Sequence, residues 1–256
     1  MTFSFQLYSD LHLEFYKEYP RIPCLKKYLI LAGDIGKINT TCFHAFLDYC
    51  NSKWEKVFYV LGNHEFYHFD KTIEELEQDY ETLFHRYENI ELLHRKKSNI
   101  EDWTLLGCTL WSFYDNELPD DCINCLSSMK KRDNITGETI SLHKTDYNYL
   151  HTNDKKWLLQ NYNPNEKTII ITHYPLQYEG TSHPIHINKK KEEKLLFANH
   201  INLDPKNTLV CISGHTHFSY DFMNNNIRYI SNQFGYKDEL QRQMTYIKTD
   251  GCFHIS

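Results

Sequence analysis

The chain is predicted to fold as an α/β protein, and three features of its 256 residues carry that reading. Short unbroken apolar runs recur: "YLILA" at 28–32, "VFYVL" at 57–61, "TIIIT" at 168–172 and "TLVCI" at 208–212. Such runs mark strands covered on both faces. Amphipathic helical patterns lie between the early runs, and strand and helix in alternation imply substantial parallel pairing. The runs also end alike, most of them in a glycine that is followed by Asp, Asn or His.

The N-terminal "MTFSFQLYSD" alternates Phe3, Phe5 and Leu7 with polar residues, which is strand patterning. It lacks the basic region, apolar core and cleavage site of a secretory signal, so a cytoplasmic protein is expected. After "YLILA", the stretch "TTCFHAFLDYC" aligns Phe43, Phe46, Leu47 and Cys50 on one helical stripe. After "VFYVL", "KTIEELEQDYETLFHRY" does the same with Ile73, Leu76, Tyr80, Leu83, Phe84 and Tyr87. Residues 114–153 are dominated by turn formers, and a loop of that length is usually functional or mobile. It is read as a lid-like insertion with some helix, within a single domain spanning 1–256. Beyond "HTHFSYDFM", the turn residues "NNN" (224–226) and the Asp-Gly pair at 250–251 point to hairpins. A second, more antiparallel sheet is expected at the C-terminal end.

Apolar residues make up 41% and charged ones 24%, the composition of a folded globular chain. No apolar stretch approaches the roughly 20 residues that cross a bilayer, so no membrane partner is expected. A formal charge of −6 gives no footprint for long nucleic acid. Small phosphorylated molecules, nucleotides included, stay compatible, because a bound dication reverses the local sign of a site. The eight Cys are scattered, with Cys108 and Cys211 inside apolar runs, which fits reduced, buried thiols. Cys122 and Cys125 form a single C-x-x-C and are read as free thiols. The triplets "RKK" (95–97), "KKR" (130–132) and "KKK" (189–191) are read as solvated faces. Of these, "KKR" is the best candidate for steering an anionic substrate, because it lies in the insertion.

Five strands end in clusters that suit a metal: Asp10 with His12, Asp34 after Gly33, Asn63-His64-Glu65, His173, and His215 with His217. In open α/β sheets ligands gather beyond the carboxyl ends of strands, so the clusters should converge. Their oxygens and nitrogens suit borderline or harder dications, and no Cys joins the set. Asp10, His12, Asp34, Asn63, His173, His215 and His217 are too many for one tetrahedral zinc. They match two ions sharing a carboxylate, roughly 3.5–4 Å apart, the arrangement that clamps attacking and leaving oxygens in phosphoryl transfer. The glycines let the chain turn sharply at the strand exits.

The ordered series D-x-H, G-D, G-N-H-E, H, G-H-x-H resembles the calcineurin-like metallophosphoesterase superfamily over about residues 4–236, on its bacterial- or viral-type, single-domain side. The resemblance implies a four-layer α/β/β/α sandwich: two mixed sheets flanked by helices, with a dinuclear site at the strand C-terminal ends. It implies that Asp10, His12 and His217 bind one divalent ion, that Asn63, His173 and His215 bind the second, and that Asp34 bridges. Mn²⁺ is expected ahead of Fe, Zn or Mg. His64 is not a ligand in the family pattern but lies beside the scissile phosphate, placed to protonate the leaving group while a metal-bridging hydroxide attacks in line. Glu65 is read as orienting a ligand or His64. "GCTLW", "THYPL" and "ISNQFGY" resemble further family segments, with departures at Tyr174, Gln233 and Phe234. The expected function is hydrolysis of a small phosphodiester or nucleotide-like ester. A phosphomonoesterase and a catalytically silent docking scaffold are the alternatives, and retention of every ligand and of His64 favours the enzyme.

Overall fold

The computed structural model describes residues 2–186, 188–240 and 248–256. Its first sheet holds β1 (Phe3–Tyr8), β2 (Tyr28–Ala32), β3 (Lys56–Val60) and β4 (Ile90–Leu92), all parallel and adjacent in that order. The second sheet has β5 (Lys96–Ile100) at one edge, antiparallel to β6 (Trp103–Cys108). The small pair β7 (Lys130–Arg132) and β8 (Thr139–Ser141) stands apart from both sheets. Parallel to β6 run β9 (Thr168–Thr172), β10 (Leu209–Ile212) and, beyond β11 (Tyr220–Asn224) in the chain, β12 (Ile227–Ser231). β11 closes the far edge antiparallel to β12, and β13 (Cys252–Ile255) joins the first sheet antiparallel to β1.

Alternation along each strand divides the core into layers. Ile30 and Ala32 of β2 and Phe58 and Val60 of β3 face Leu105, Ile169, Ile171, Val210 and Ile212 across the gap between the sheets. Their neighbours Leu29, Leu31, Val57 and Tyr59 pack outward on helices α1 (Thr41–Lys53) and α2 (Ile73–Phe84). On the other side, Leu106, Ile170, Cys211 and Tyr229 meet Trp157 and Leu158 of α4 (Lys144–Asn161), which follows the short α3 (Cys125–Ser128). The result is an α/β/β/α sandwich with mixed sheets. Each fully buried side chain contributes about 1.5–3 kcal/mol, so a one-residue slip that exchanged the two faces of a strand is strongly disfavoured. The expected stripes hold: Phe43, Phe46, Leu47 and Cys50 of α1 and Ile73, Leu76, Tyr80, Leu83 and Phe84 of α2 are buried. A Thr72–Glu75 capping box starts α2.

The C-terminal expectation needs correction. The hairpin between β11 and β12 does turn at Asn225 and Asn226, whose φ of +48° and +62° suit a tight hairpin turn. Yet the C-terminal strands form no separate antiparallel sheet among the described residues. β12 continues the parallel array beside β10, and β13 crosses to β1, where Phe253 and Ile255 complete the inter-sheet core. The strand expected before Asp250 falls in 241–247, outside the described residues. The stretch 114–153 contains α3, the β7–β8 hairpin and the beginning of α4, followed later in the chain by the short helices α5 (Lys191–Leu195) and α6 (Lys237–Leu240). All eight cysteines are free, and no helix of the described residues is long and apolar enough to cross a membrane.

Candidate metal centre

Backbone hydrogen bonds join the loops leaving β1 and β2 and those leaving β9 and β10, and the loop leaving β3 is tied in by the side chains of Glu65 and Asp34. Asp10 N donates to Gly33 O (3.0 Å), His12 N to Asp34 O (2.9 Å) and Gly214 N to His173 O (2.9 Å). Asp10, His12, Asp34, His215 and His217 have φ of +55°, +47°, +54°, +72° and +50°. A left-handed L-residue costs roughly 1–2 kcal/mol, and such strain persists only where the surroundings over-determine it. Here it concentrates on the residues that the sequence singles out as ligands, and it re-aims their side chains inward.

The motif glycines serve space more than turning. Of the three, Gly33 alone has positive φ (+86°). A Cβ on Gly62 would lie 2.2 Å from Asp34 Oδ1, one on Gly214 2.6 Å from Asp10 Oδ2, and one on Gly33 2.4 Å from His173 Nδ1. The missing side chains let two carboxylates and an imidazole close on one point.

That point has two halves. On one side, His173 Nε2 and His215 Nδ1 lie 2.9 and 3.0 Å from Asn63 Oδ1, and His173 Nε2 is 3.4 Å from Asp34 Oδ1. On the other, His12 Nε2 lies 3.1 Å from His217 Nε2 and 3.9 Å from Asp34 Oδ2, and His217 Nε2 is 3.6 Å from Asp10 Oδ1. Ligand atoms of Asp10, His12 and His217 fall within 4.8 Å of one another, as do those of Asp10, Asp34 and His173. The structure therefore brings all seven sequence-predicted ligands together, with the two oxygens of Asp34 facing opposite halves.

The outer nitrogens explain the ring orientations. His173 Nδ1 donates to Ala32 O (3.0 Å), His12 Nδ1 faces Glu14 Oε1 (3.4 Å), and His217 Nδ1 faces Glu239 Oε2. An acceptor at Nδ1 keeps the proton there and turns the Nε2 lone pair toward the cluster. Two such lone pairs, on His12 and His217, then face each other, an arrangement that a cation between them makes favourable. The donor set of imidazole, carboxylate and amide oxygen fits two divalent ions. Asp34 agrees electrostatically: burial pushes its carboxyl up, but the charges of His173, His64 and His12 outweigh this and hold it well below the usual range.

His64 stands just outside the ligands. Its backbone N–H donates to Asp34 Oδ1 (2.8 Å), its Nδ1 bonds Glu14 Oε1 (2.9 Å), and its Nε2 lies 3.1 Å from Tyr236 Oη. Burial pushes the Glu14 carboxyl up, but hydrogen bonds and charge from His12 and His64 overcome it and bring it to about 2. Glu14 is thus a carboxylate shared by a candidate ligand and His64. Glu65 acts on the backbone instead of on His64: its carboxylate accepts from Asp34 N (3.0 Å), Ile35 N (2.9 Å), Gly62 N (2.9 Å) and Tyr59 Oη (2.7 Å). Burial and the charge of Asp34 push its carboxyl up to about 7. Sequence reasoning left out Glu14, Glu239 and Tyr236. Glu14 has a signal, two residues past His12 in "SDLHLE", and Tyr236 closes "ISNQFGY"; nothing in the sequence marks Glu239.

A cleft of about 400 Å³ opens over this cluster, lined near the ligands by His64, Tyr67 and Tyr236 and farther out by Tyr178, Lys189 and Phe197. "KKR" does not reach it. Lys131 pairs with Asp146 (2.7 Å), Arg132 with Glu75 (2.8 Å), and Lys130 Nζ donates to Ser127 O (2.8 Å). "RKK" is likewise bound, to Asp154, Glu91 and Glu166. Cys122 and Cys125 both line the cleft as free thiols, and Cys125 Sγ lies 3.1 Å from Tyr67 Oη. Of the aromatic trio after "GNHE", Phe66 joins the core, Tyr67 bonds Asn63 at the cleft, and Phe69 is exposed. Tyr174, at a departure from the family pattern, lays its ring 3.9 Å from that of His215.

Comparison with known proteins agrees with this geometry. Residues 6–219 match the family model described as "Calcineurin-like phosphoesterase". The uncharacterized protein L509 of Acanthamoeba polyphaga mimivirus is 28% identical over 268 residues, 94% of each chain. The crystal structure of a phosphopantetheinyl hydrolase (PptH) from Mycobacterium tuberculosis shares the fold, with a TM-score of 0.66 at 18% identity over 98% of this chain and 95% of that one. The chain belongs to the calcineurin-like phosphoesterase family and is a hydrolase of phosphate ester bonds.

Proposed function

We propose that the protein hydrolyses a small, nucleotide-like phosphodiester, with Asp10, His12, Asp34 and His217 holding one divalent ion and Asp34, Asn63, His173 and His215 the other. The observation that carries this reading is Asp34, whose Oδ1 lies toward His173 and whose Oδ2 lies toward His12. When bound, two such ions activate a water for in-line attack and offset charge developing on the phosphate oxygens. Asp34 sets their spacing, and Glu65 fixes the backbone of Asp34 and Gly62 that carries the bridge. His64 protonates the leaving oxygen from Nε2, since Nδ1 is held by Glu14. Tyr236 Oη, beside that same nitrogen, marks where the leaving oxygen enters.

A diester suits the charge of the cleft better than a monoester. Among the described residues that line it, Lys189 is the single lysine, set over Phe197 at the outer end, and no arginine appears, which leaves little beyond the ions themselves to offset a second charge on the reacting phosphate. Mixed nitrogen and oxygen donors without thiolate suit Mn²⁺, Fe²⁺ or Zn²⁺, and we take Mn²⁺ as the ion to test first. We read 1–256 as one domain whose segment near 122–125 covers one wall of the cleft as a lid, and the free cysteines fit a reducing cytoplasm.

The test is hydrolysis by Mn²⁺-loaded protein of bis(p-nitrophenyl) phosphate against p-nitrophenyl phosphate. The expected result is a higher kcat/KM on the diester. Preference for the monoester would replace this reading with a phosphomonoesterase, and inertness toward both would remove the proposed chemistry.

A further inference from the structure

Of the nine basic residues in the three triplets, Lys189 is the one found among the described residues that line the cleft. Arg95, Lys96, Lys97, Lys131 and Arg132 all meet carboxylates, whereas Lys189 has no ion-pair partner among the described residues. Its Nζ sits 4.7 Å over the Phe197 ring, and that ring stacks on candidate ligand His215 with centroids 5.9 Å apart. An aromatic face attracts the ammonium but leaves its N–H donors unsatisfied. The backbone around it is fixed: Lys189 N donates to His186 O (3.1 Å), which also accepts from Tyr178 Oη (2.9 Å). Asp34 and Glu239 are the carboxylates among the described lining residues, and Glu239 is engaged by His217 and Tyr236 N. Burial and the charges of Lys189 and His183 push His186 down, so its ring is neutral near pH 7 and the positive charge at this end belongs to Lys189.

We infer that this end of the cleft, at Tyr178, His186, Lys189 and Phe197, is a subsite for a second phosphoryl group, and that the substrates are small phosphodiesters carrying one additional phosphate. The inference rests on the reading of the metal cluster as the hydrolytic site. Lys189 supplies the charge and hydrogen bonds, His186 adds a neutral donor, and Phe197 holds the ammonium where the anion arrives. A cleft of about 400 Å³ is in the range that takes up nucleotide-sized molecules.

The test compares adenylyl-(3′→5′)-adenosine with and without a 5′-terminal phosphate, on the full chain loaded with Mn²⁺. Wild type is expected to favour the phosphorylated dinucleotide in kcat/KM by about tenfold or more, the scale of one charge-assisted hydrogen bond. In Lys189→Ala the preference falls toward unity, chiefly through KM, and Lys189→Arg restores part of it. Calorimetry of both dinucleotides with metal-free protein reads the same preference without turnover. An equal kcat/KM for the two in wild type, or a preference unchanged in Lys189→Ala and Lys189→Glu, overturns the subsite. Inertness toward bis(p-nitrophenyl) phosphate strikes the hydrolase reading instead, and the calorimetric preference then decides the subsite separately.

Discussion

Substituting Gly62 by alanine tests the close-approach argument with little else changed. Its φ is not left-handed, so an added methyl meets no intrinsic backbone penalty. It meets Asp34 Oδ1 at 2.2 Å, Asp34 N at 2.5 Å and His173 Cε1 at 2.9 Å, where ordinary contact starts at 3.4 Å. None of these is the free end of a flexible side chain: Asp34 also accepts from His64 N, and His173 is tied to Ala32 O. Asp34 must therefore retreat by roughly 1 Å, at an overpacking cost of about 1–3 kcal/mol. For a chain of this length that is a fall in Tm of about 2–12 °C. The catalytic effect is larger, since a misplacement of that size costs on the order of 10²-fold in rate. The assay is hydrolysis of bis(p-nitrophenyl) phosphate with saturating Mn²⁺, alongside thermal melts of metal-free protein. Gly137→Ala serves as control, because its φ is +71° but a Cβ there meets nothing within 4 Å. It should cost about 1 kcal/mol and leave turnover intact. Wild-type rate and Tm in Gly62→Ala would refute the claim that this glycine exists to admit Asp34.

His64→Ala should lose about 10²–10⁴-fold in kcat on a diester with a poor leaving group while keeping full metal content by elemental analysis; unchanged turnover removes the proton-donor role. Glu65→Gln should weaken Mn²⁺ binding by about 10–100-fold in titration calorimetry, because an amide cannot accept from all of Asp34, Ile35, Gly62 and Tyr59; wild-type affinity counts against it. Arg95→Met leaves the fully buried Asp154 without its guanidinium and should cost about 3–5 kcal/mol in urea unfolding; a loss under 1 kcal/mol (roughly) would mean that Leu110 N alone satisfies the carboxylate.

The strands that carry ligands were legible because each is buried on both faces and so consists of unbroken apolar residues, as in "YLILA" and "TIIIT". α1 and α2 were legible because one face of each is apolar at helical spacing. α4 was not, for a physical reason. Its buried positions are Tyr147, His151, Asp154 and Leu158, and the two polar ones are satisfied by Trp111 O, Leu110 N and Arg95. Polar residues with buried partners break the apolar period, and those partners lie 40 or more residues away in sequence. The placement of β13 is equally non-local, since Phe253 pairs with Phe5. At the site, the ligand types could be read from motif spacing. The left-handed backbone at Asp10, His12, Asp34, His215 and His217 could not, because those residue types do not announce positive φ as glycine does. Lys189 was hidden for a similar reason: whether a lysine is paired depends on which carboxylates the fold brings to it.

Electron paramagnetic resonance of the Mn²⁺-loaded protein addresses the shared carboxylate most directly. Two ions held on opposite oxygens of Asp34 should bind two per chain and give an exchange-coupled spectrum, which Asp34→Ala converts to isolated ions or loses. One bound ion per chain with an uncoupled six-line signal would contradict the dinuclear account.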